Sequence, residues 1–178
     1  MALWQFRLIL LPRRALLEQF GIVPVSISME AAEDYHWWSD VQPPEGFERQ
    51  IDSMLPRKES WSTGMRMWGQ EDSNDAYVSY KDENMNAVEE IAFRIDARAI
   101  SADLTSAICT FARNLDCLLM TQEYEILAPE RSVILQTVNT SIARRYVVDP
   151  VSTLQSLEKG KIEKRINYLT NHKGKISG

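Results

Sequence analysis

Three runs of alternating side chains in the middle of the chain, at 62–68, 76–81 and 88–97, constrain its fold more than any other feature. The segments between them are rich in Gly, Asp, Asn and Ser, which favour turns. Connections this short join antiparallel neighbours, because a parallel crossover needs a dozen residues or more. The pattern therefore predicts an antiparallel meander of three strands.

The beginning of the chain repeats the alternation at 3–11, which predicts a half-buried strand, and an apolar run at 117–121 predicts another strand. We expect the core face of the sheet to carry Trp4, Phe6, Leu8, Leu10, Ile91, Phe93 and Ile95. We expect the opposite face to carry Gln5, Arg7, Ala92, Arg94 and Asp96.

The remaining periodic segments predict helices, with Ser101 as an N-cap, Gly21 as a terminator and Asp149-Pro150 as a further start signal. The predicted helices cover 13–20, 29–35, 43–55, 101–114, 129–145 and a last segment from 149 onward. Helices and strands do not alternate regularly, so a doubly wound parallel sheet is not expected. The sequence predicts the α+β class, with a mostly antiparallel sheet (the meander core plus the N-terminal strand) covered by helices.

The charge of the chain is unevenly distributed. Residues 158–178 carry six basic and two acidic side chains, whereas residues 1–157 carry 14 basic and 23 acidic ones, a net charge of −9. We predict a single α+β domain over 1–157 and a basic, flexible C-terminal tail over 158–178. The acidic domain favours a basic protein partner and argues against nucleic-acid binding.

Neither secretion nor a membrane is indicated. Arg7 interrupts the first apolar run, and no small-residue cleavage site follows it, so the order of a signal peptide is missing. No window approaches the ~18 apolar residues that a membrane-spanning helix needs. Two cysteines, Cys109 and Cys117, do not form a disulfide framework. We therefore expect a cytoplasmic protein that has no membrane contact.

Catalytic and metal-binding patterns are weak. His36 lies between Asp34 and Asp40, and either carboxylate could orient its imidazole, which supports an alternative hypothesis of a small hydrolase-like enzyme. The sequence contains no G-x-S-x-G nucleophile elbow, no paired Cys/His ligand spacing and no glycine-rich phosphate loop. We therefore predict no catalytic residue, no metal and no cofactor.

Tryptophan is unusually frequent, with five residues in the chain. Trp37 and Trp38 are adjacent, and adjacent residues of a regular element point apart, so either this segment wraps irregularly over the core or one indole is exposed. Trp68 lies beside an acidic turn, and an exposed tryptophan is a frequent hot spot of binding. The predicted partner-binding residues are Trp37, Trp38, Trp68, Glu71, Asp72 and Asp75.

The aromatic and turn positions form a pattern that consists of Leu3-Trp4-Gln5-Phe6, Trp37-Trp38, Leu55-Pro56, Trp61, Trp68-Gly69 and Tyr146-Val147-Val148-Asp149-Pro150. This pattern resembles a family of small uncharacterised bacterial proteins that are similar in size and acidity to the immunity proteins of polymorphic or contact-dependent toxins. The resemblance implies an α+β protein without enzymatic activity that neutralises a cognate toxin by binding it.

Three hypotheses about function follow. The leading one is a non-enzymatic immunity protein that occludes the surface of a basic toxin, with electrostatic steering of the encounter. The alternatives are a hydrolase that uses His36 with Asp34 or Asp40, and a homodimer subunit that associates through residues 150–169.

Overall fold

A seven-stranded antiparallel sheet forms the centre of the protein. The computed structural model describes residues 2–83 and 85–159. The strands are β1 Gln5–Pro12, β2 Arg57–Lys58, β3 Met65–Gly69, β4 Asp75–Tyr80, β5 Val88–Asp96, β6 Cys117–Thr121 and β7 Ile126–Leu127. Their order is β2-β3-β4-β5-β1-β6-β7. The predicted meander is confirmed as β3 to β5, and β2 extends it by one short strand.

The first strand of the chain lies at the centre of this sheet, because β1 pairs with β5 along one edge and with β6 along the other. Leu8, for example, lies opposite Phe93 of β5 and Thr121 of β6. Every residue of β1 except Arg7 is buried. The expected half-buried strand is therefore wrong in this respect: both faces of β1 are covered, as suits a central strand.

Seven helices occupy the described residues: α1 Arg13–Phe20, α2 Met29–Asp34, α3 Glu48–Asp52, α4 Ala102–Asn114, α5 Arg131–Thr140, α6 Ile142–Val148 and α7 at 150–159. The sequence signals for helix ends are confirmed. The Ser101 side chain accepts a hydrogen bond from Leu104 N at 3.2 Å, and Gly21 ends α1 in the left-handed conformation. The fold is therefore α+β, as predicted.

Two predicted helices differ from the observed ones. The segment 43–55 is helical only in α3, because the residues before it form turns closed by the hydrogen bonds Phe47 N to Pro44 O and Arg49 N to Gly46 O. The segment 129–145 is divided at Ser141, whose backbone is extended and whose side chain accepts a hydrogen bond from Arg144 N. A serine that caps a following helix interrupts the one before it.

Helices α4 and α5 cover one face of the sheet. Phe93 of β5 meets Phe111 of α4 edge-on, with ring centroids 5.8 Å apart, and Ile134 and Val138 of α5 are fully buried in the same core. The strand residues predicted for this face are buried, namely Phe6, Leu8, Leu10, Ile91, Phe93 and Ile95. Trp4 is the exception, because it precedes β1 and is only half-buried.

The other face of the sheet has a partial cover. Gln5, Ala92 and Asp96, which alternation predicts on the face opposite the core, are buried, so the simple inside-outside pattern is wrong at these positions. No helix within residues 2–83 and 85–159 has the length and apolar character that crossing a membrane requires. Of the predicted tail, residues 158–159 belong to α7, and 160–178 lie outside the described residues.

Candidate functional site

A cavity of about 750 Å³ lies against the face of the sheet that α4 and α5 leave uncovered. Residues of β1, β3, β4, β5 and β6 line it, and one wall comes from the segment 32–38. None of the residues that line it belongs to α4, α5 or α6. A volume of this size can receive a small molecule or several side chains of a protein partner.

The floor of the cavity carries a polar cluster of Arg7, Tyr77 and Glu90. Arg7 Nη2 pairs with Glu90 Oε1 at 2.6 Å and also donates to the Tyr77 hydroxyl oxygen, while the Tyr77 hydroxyl donates to Glu90. The Arg7 guanidinium also lies 5.7 Å from the centre of the Tyr77 ring. Burial, followed by the charge of Glu90, raises the pKa of Tyr77, so its hydroxyl stays protonated.

The second guanidinium of the floor, Arg94, is paired with a buried carboxylate. Arg94 Nε lies 2.6 Å from Asp75 Oδ1, and Asp75 is 1% exposed. Burial raises the pKa of Asp75 above its ordinary value, although the nearby Arg94 charge opposes this shift. Both arginines of the cavity floor therefore already have carboxylate partners from the protein itself.

The mouth of the cavity combines aromatic rings with carboxylates. Tyr35 and Trp37 pack with ring centroids 4.5 Å apart, and Trp61 lines the same cavity with 74% of its surface exposed. Glu33 and Glu89 are exposed at this mouth and form no ion pair within the described part of the chain. The arginine charges of the floor are neutralised by carboxylates, whereas the mouth is aromatic and acidic. The cavity therefore favours a positively charged ligand group.

Replacing Tyr77 with phenylalanine tests the structural role of the floor cluster. Tyr77→Phe removes the hydroxyl that bonds to Arg7 and Glu90 while leaving those two residues paired with each other. We expect the free energy of unfolding, measured in urea, to fall by about 1–2 kcal/mol. The control is Tyr146→Phe on α6, whose hydroxyl forms no hydrogen bond to any described residue. Equal losses in both variants would contradict the bridging role.

The structure places the predicted partner-binding residues in two groups. Trp37, Trp38, Trp68 and Asp75 are buried, whereas Glu71 and Asp72 are exposed on the turn between β3 and β4. Trp37, Trp38 and Glu71 line the cavity, and Glu71 lies 3.5 Å from Lys58. Asp75, predicted as a partner-binding residue, is buried at the start of β4, where the Arg94 guanidinium pairs with it.

Trp68 has a structural place in the core. It is fully buried, its Nε1 donates to Asp52 Oδ1 at 2.7 Å, and the Arg57 guanidinium lies 5.2 Å from its ring centre. Trp61, which the sequence did not select as a site residue, is the tryptophan that is largely exposed. The side chain of Trp68 points into the core. Its position beside an acidic turn therefore does not make it an exposed binding residue.

The residues of the alternative hydrolase form no hydrogen-bonded group. His36 is exposed at the cavity, and its imidazole forms no hydrogen bond or ion pair with Asp34 or Asp40. Both cysteines are buried, and burial raises the pKa of the Cys109 thiol and of the Cys117 thiol, which disfavours the reactive thiolates. No group of three or more potential metal ligands occurs among residues 2–83 and 85–159.

The floor residues Arg7, Tyr77, Glu90 and Arg94 were not selected from the sequence. One signal for them does exist, because Arg7 is the charged residue of a largely apolar strand and Arg94 lies between the apolar residues Phe93 and Ile95. A charged side chain in a strand that lies at the centre of a sheet needs a partner on the same face.

No protein-family model matches the chain, and no curated protein and no solved structure matches it either.

Proposed function

We propose that this chain is a non-enzymatic binding protein whose cavity receives a positively charged segment of a partner protein. The observation that carries this proposal is the composition of the cavity. Its two arginines are each paired with a carboxylate, while Glu33 and Glu89 at its mouth have no such partner in the described chain. A cationic side chain would complete the charge balance there.

The aromatic residues support the same proposal. Trp61 is exposed, and Tyr35 and Trp37 form a packed wall, so an arginine or lysine side chain that enters the cavity can lie against aromatic faces. The net charge of −9 over residues 1–157 would increase the rate of encounter with a basic partner. Neutralisation of a basic toxin by occlusion of its surface, the role of an immunity protein, is the specific form that we propose.

The proposal is tested by recovery of the partner from native cells at low salt. The full-length tagged chain is compared with the double variant Glu33→Gln/Glu89→Gln, which removes two charges from the cavity mouth. We expect the wild-type chain to recover a basic protein and the double variant to bind that protein about tenfold more weakly. Toxicity of the recovered protein when it is expressed alone would support the immunity role.

The matched control is Asp103→Asn/Glu130→Gln, which removes two charges at the helical layer on the opposite side of the sheet. This variant has the same net charge as the cavity variant, so the two separate a local contact from long-range attraction. We expect the control variant to bind the recovered basic partner with near wild-type affinity. Equal weakening in both double variants, or recovery of an acidic partner, would overturn the proposed role of the cavity.

A second proposal, self-association through residues 150–169, is supported by one observation. Val148, Val151 and Leu154 lie exposed along α6 and α7, and exposed apolar side chains that cluster favour association. Residues 160–169 of this segment lie outside the described residues. Light scattering during size-exclusion chromatography should report a dimer that Val151→Asp/Leu154→Asp converts to a monomer. A wild-type monomer at all concentrations would contradict the proposal.

A further inference from the structure

Charges of opposite sign lie beside the cavity and on helices α4 to α6. The segment 29–40, which contains the cavity wall, has neither lysine nor arginine but four exposed acidic residues, Glu30, Glu33, Asp34 and Asp40. Helices α4, α5 and α6, none of which lines the cavity, contain four arginines and one aspartate. A basic segment is therefore attracted to the cavity side of the domain and repelled by these helices.

The chain itself contains a basic segment. Residues 160–178, which lie outside the described residues, have five basic side chains and one acidic side chain, a net charge of +4. Residues 1–159 carry a net charge of −9. Lys173 and Lys175 flank Gly174, so no bulky side chain separates these two cations. The segment therefore has the charge that the cavity mouth favours.

The length of this segment is sufficient for a contact with the cavity. The last described residue is Lys159 of α7, and 14 residues separate it from Lys173. Fourteen extended residues span up to about 46–50 Å, whereas a compact domain of this size is about 40 Å across. Lys161 and Lys164 lie within five residues of α7, so they extend no more than about 18 Å from it. Lys173 and Lys175 are therefore the cations that can reach a distant site.

We propose that Lys173 and Lys175 bind at the cavity mouth of their own chain, near Glu33 and Glu89, and compete there with the basic partner. This inference rests on the proposed function, since it assigns a regulator to the same cationic site. A weak contact is sufficient, because a linker gives an intramolecular ligand an effective concentration in the millimolar range. The partner must displace the segment, so its apparent affinity falls by the fraction of free cavity.

The competition is measured on the full-length chain with a small probe, N-acetyl-L-arginine N′-methylamide, which carries one guanidinium group. Its dissociation constant is determined by NMR titration of the wild type and of Lys173→Gln/Lys175→Gln. We expect the variant to bind the probe about two- to fivefold more tightly, because the competing cations are gone. The matched control is Lys161→Gln/Lys164→Gln, which has the same net charge and should keep the wild-type affinity.

Dilution distinguishes the chain's own segment from that of a second copy. An intramolecular competitor has a fixed effective concentration, so the wild-type dissociation constant should stay the same when the protein is diluted tenfold. Tighter binding of the probe after dilution would show that the segment of another molecule occupies the cavity, and it would overturn the intramolecular contact.

The outcomes separate this inference from the proposed function. Equal affinity of the wild type and Lys173→Gln/Lys175→Gln for the probe would overturn the competition and leave the cationic site standing. Equal tightening in both lysine variants would show an effect of net charge alone and would also overturn the contact. Failure of the wild type and of both variants to bind the probe at millimolar concentration would overturn the cationic site and the competition together.

Discussion

Trp68→Ala is expected to lower the free energy of unfolding by about 3–5 kcal/mol. The substitution leaves a fully buried cavity, removes the hydrogen bond to Asp52 and removes the ring on which the Arg57 guanidinium packs. Urea unfolding monitored by circular dichroism measures this loss. A variant that is too unstable to purify is consistent with a loss of this size. In that case Trp68→Phe, which should lower the free energy of unfolding by less, is measured instead.

Trp61→Ala is the matched control for this result. Trp61 is 74% exposed at the cavity mouth, and the proposed site uses it as a binding surface. Its removal should change the free energy of unfolding by no more than about 0.5 kcal/mol, as is usual for exposed positions. Comparable losses in the two variants would contradict the division into a structural and an exposed tryptophan.

Gly69→Ala is the second substitution with a large expected effect. Gly69 ends β3 with a φ of +78°, and an added Cβ would lie 2.2 Å from the backbone oxygen of Asn74. Neither the left-handed backbone nor a rigid carbonyl can accommodate a methyl group without movement of the turn that leads to β4. We expect a loss of about 3 kcal/mol or more in urea unfolding, from backbone strain and overpacking together.

Gly21→Ala separates these two causes. Gly21 has a similar φ of +73°, but nothing lies within 4 Å of an added Cβ. The same substitution there should cost only the strain of a left-handed residue, about 1 kcal/mol. If Gly21→Ala and Gly69→Ala lose equal stability, the close approach of Asn74 does not contribute, and the described turn geometry is incorrect.

Local patterns were sufficient to predict the meander β3 to β5. The alternation at β4 and β5, and the turn-forming residues between them, act over a few residues, so they identify a meander without knowledge of the rest of the chain. The N-cap at Ser101 is local in the same sense. The division at Ser141 was missed, because an apolar stripe that continues through a serine gives no sign that the backbone bends there.

The site could not be predicted because its parts meet only through the strand order. Arg7 reaches Glu90 since β1 lies beside β5, and a sequence pattern contains no information on which strands become neighbours. The same order places Arg94 directly opposite Arg7, with Asp75 of β4 on its other side. The charged groups of the site therefore come from three separate strands, and no single segment of the sequence shows that they compensate one another.

The adjacent tryptophans show a different limit. Alternation predicts that neighbours in a regular element point apart, but Trp37 and Trp38 lie in a turn, where both can be buried. Trp37 packs against Tyr35 and lies 6.3 Å from Phe20 of α1, measured between ring centroids. The sequence left open an irregular wrap over the core, and that is the arrangement observed.

The most direct test of the central proposal is the NMR signal of each indole N–H group while N-acetyl-L-arginine N′-methylamide is added. Trp37, Trp38 and Trp61 line the cavity, whereas Trp4 and Trp68 do not. A cationic segment that binds in the cavity should shift the first three signals with one common dissociation constant and leave the other two unchanged. Saturable binding that shifts only Trp4 or Trp68, or none of the five, would contradict the cavity as the binding site.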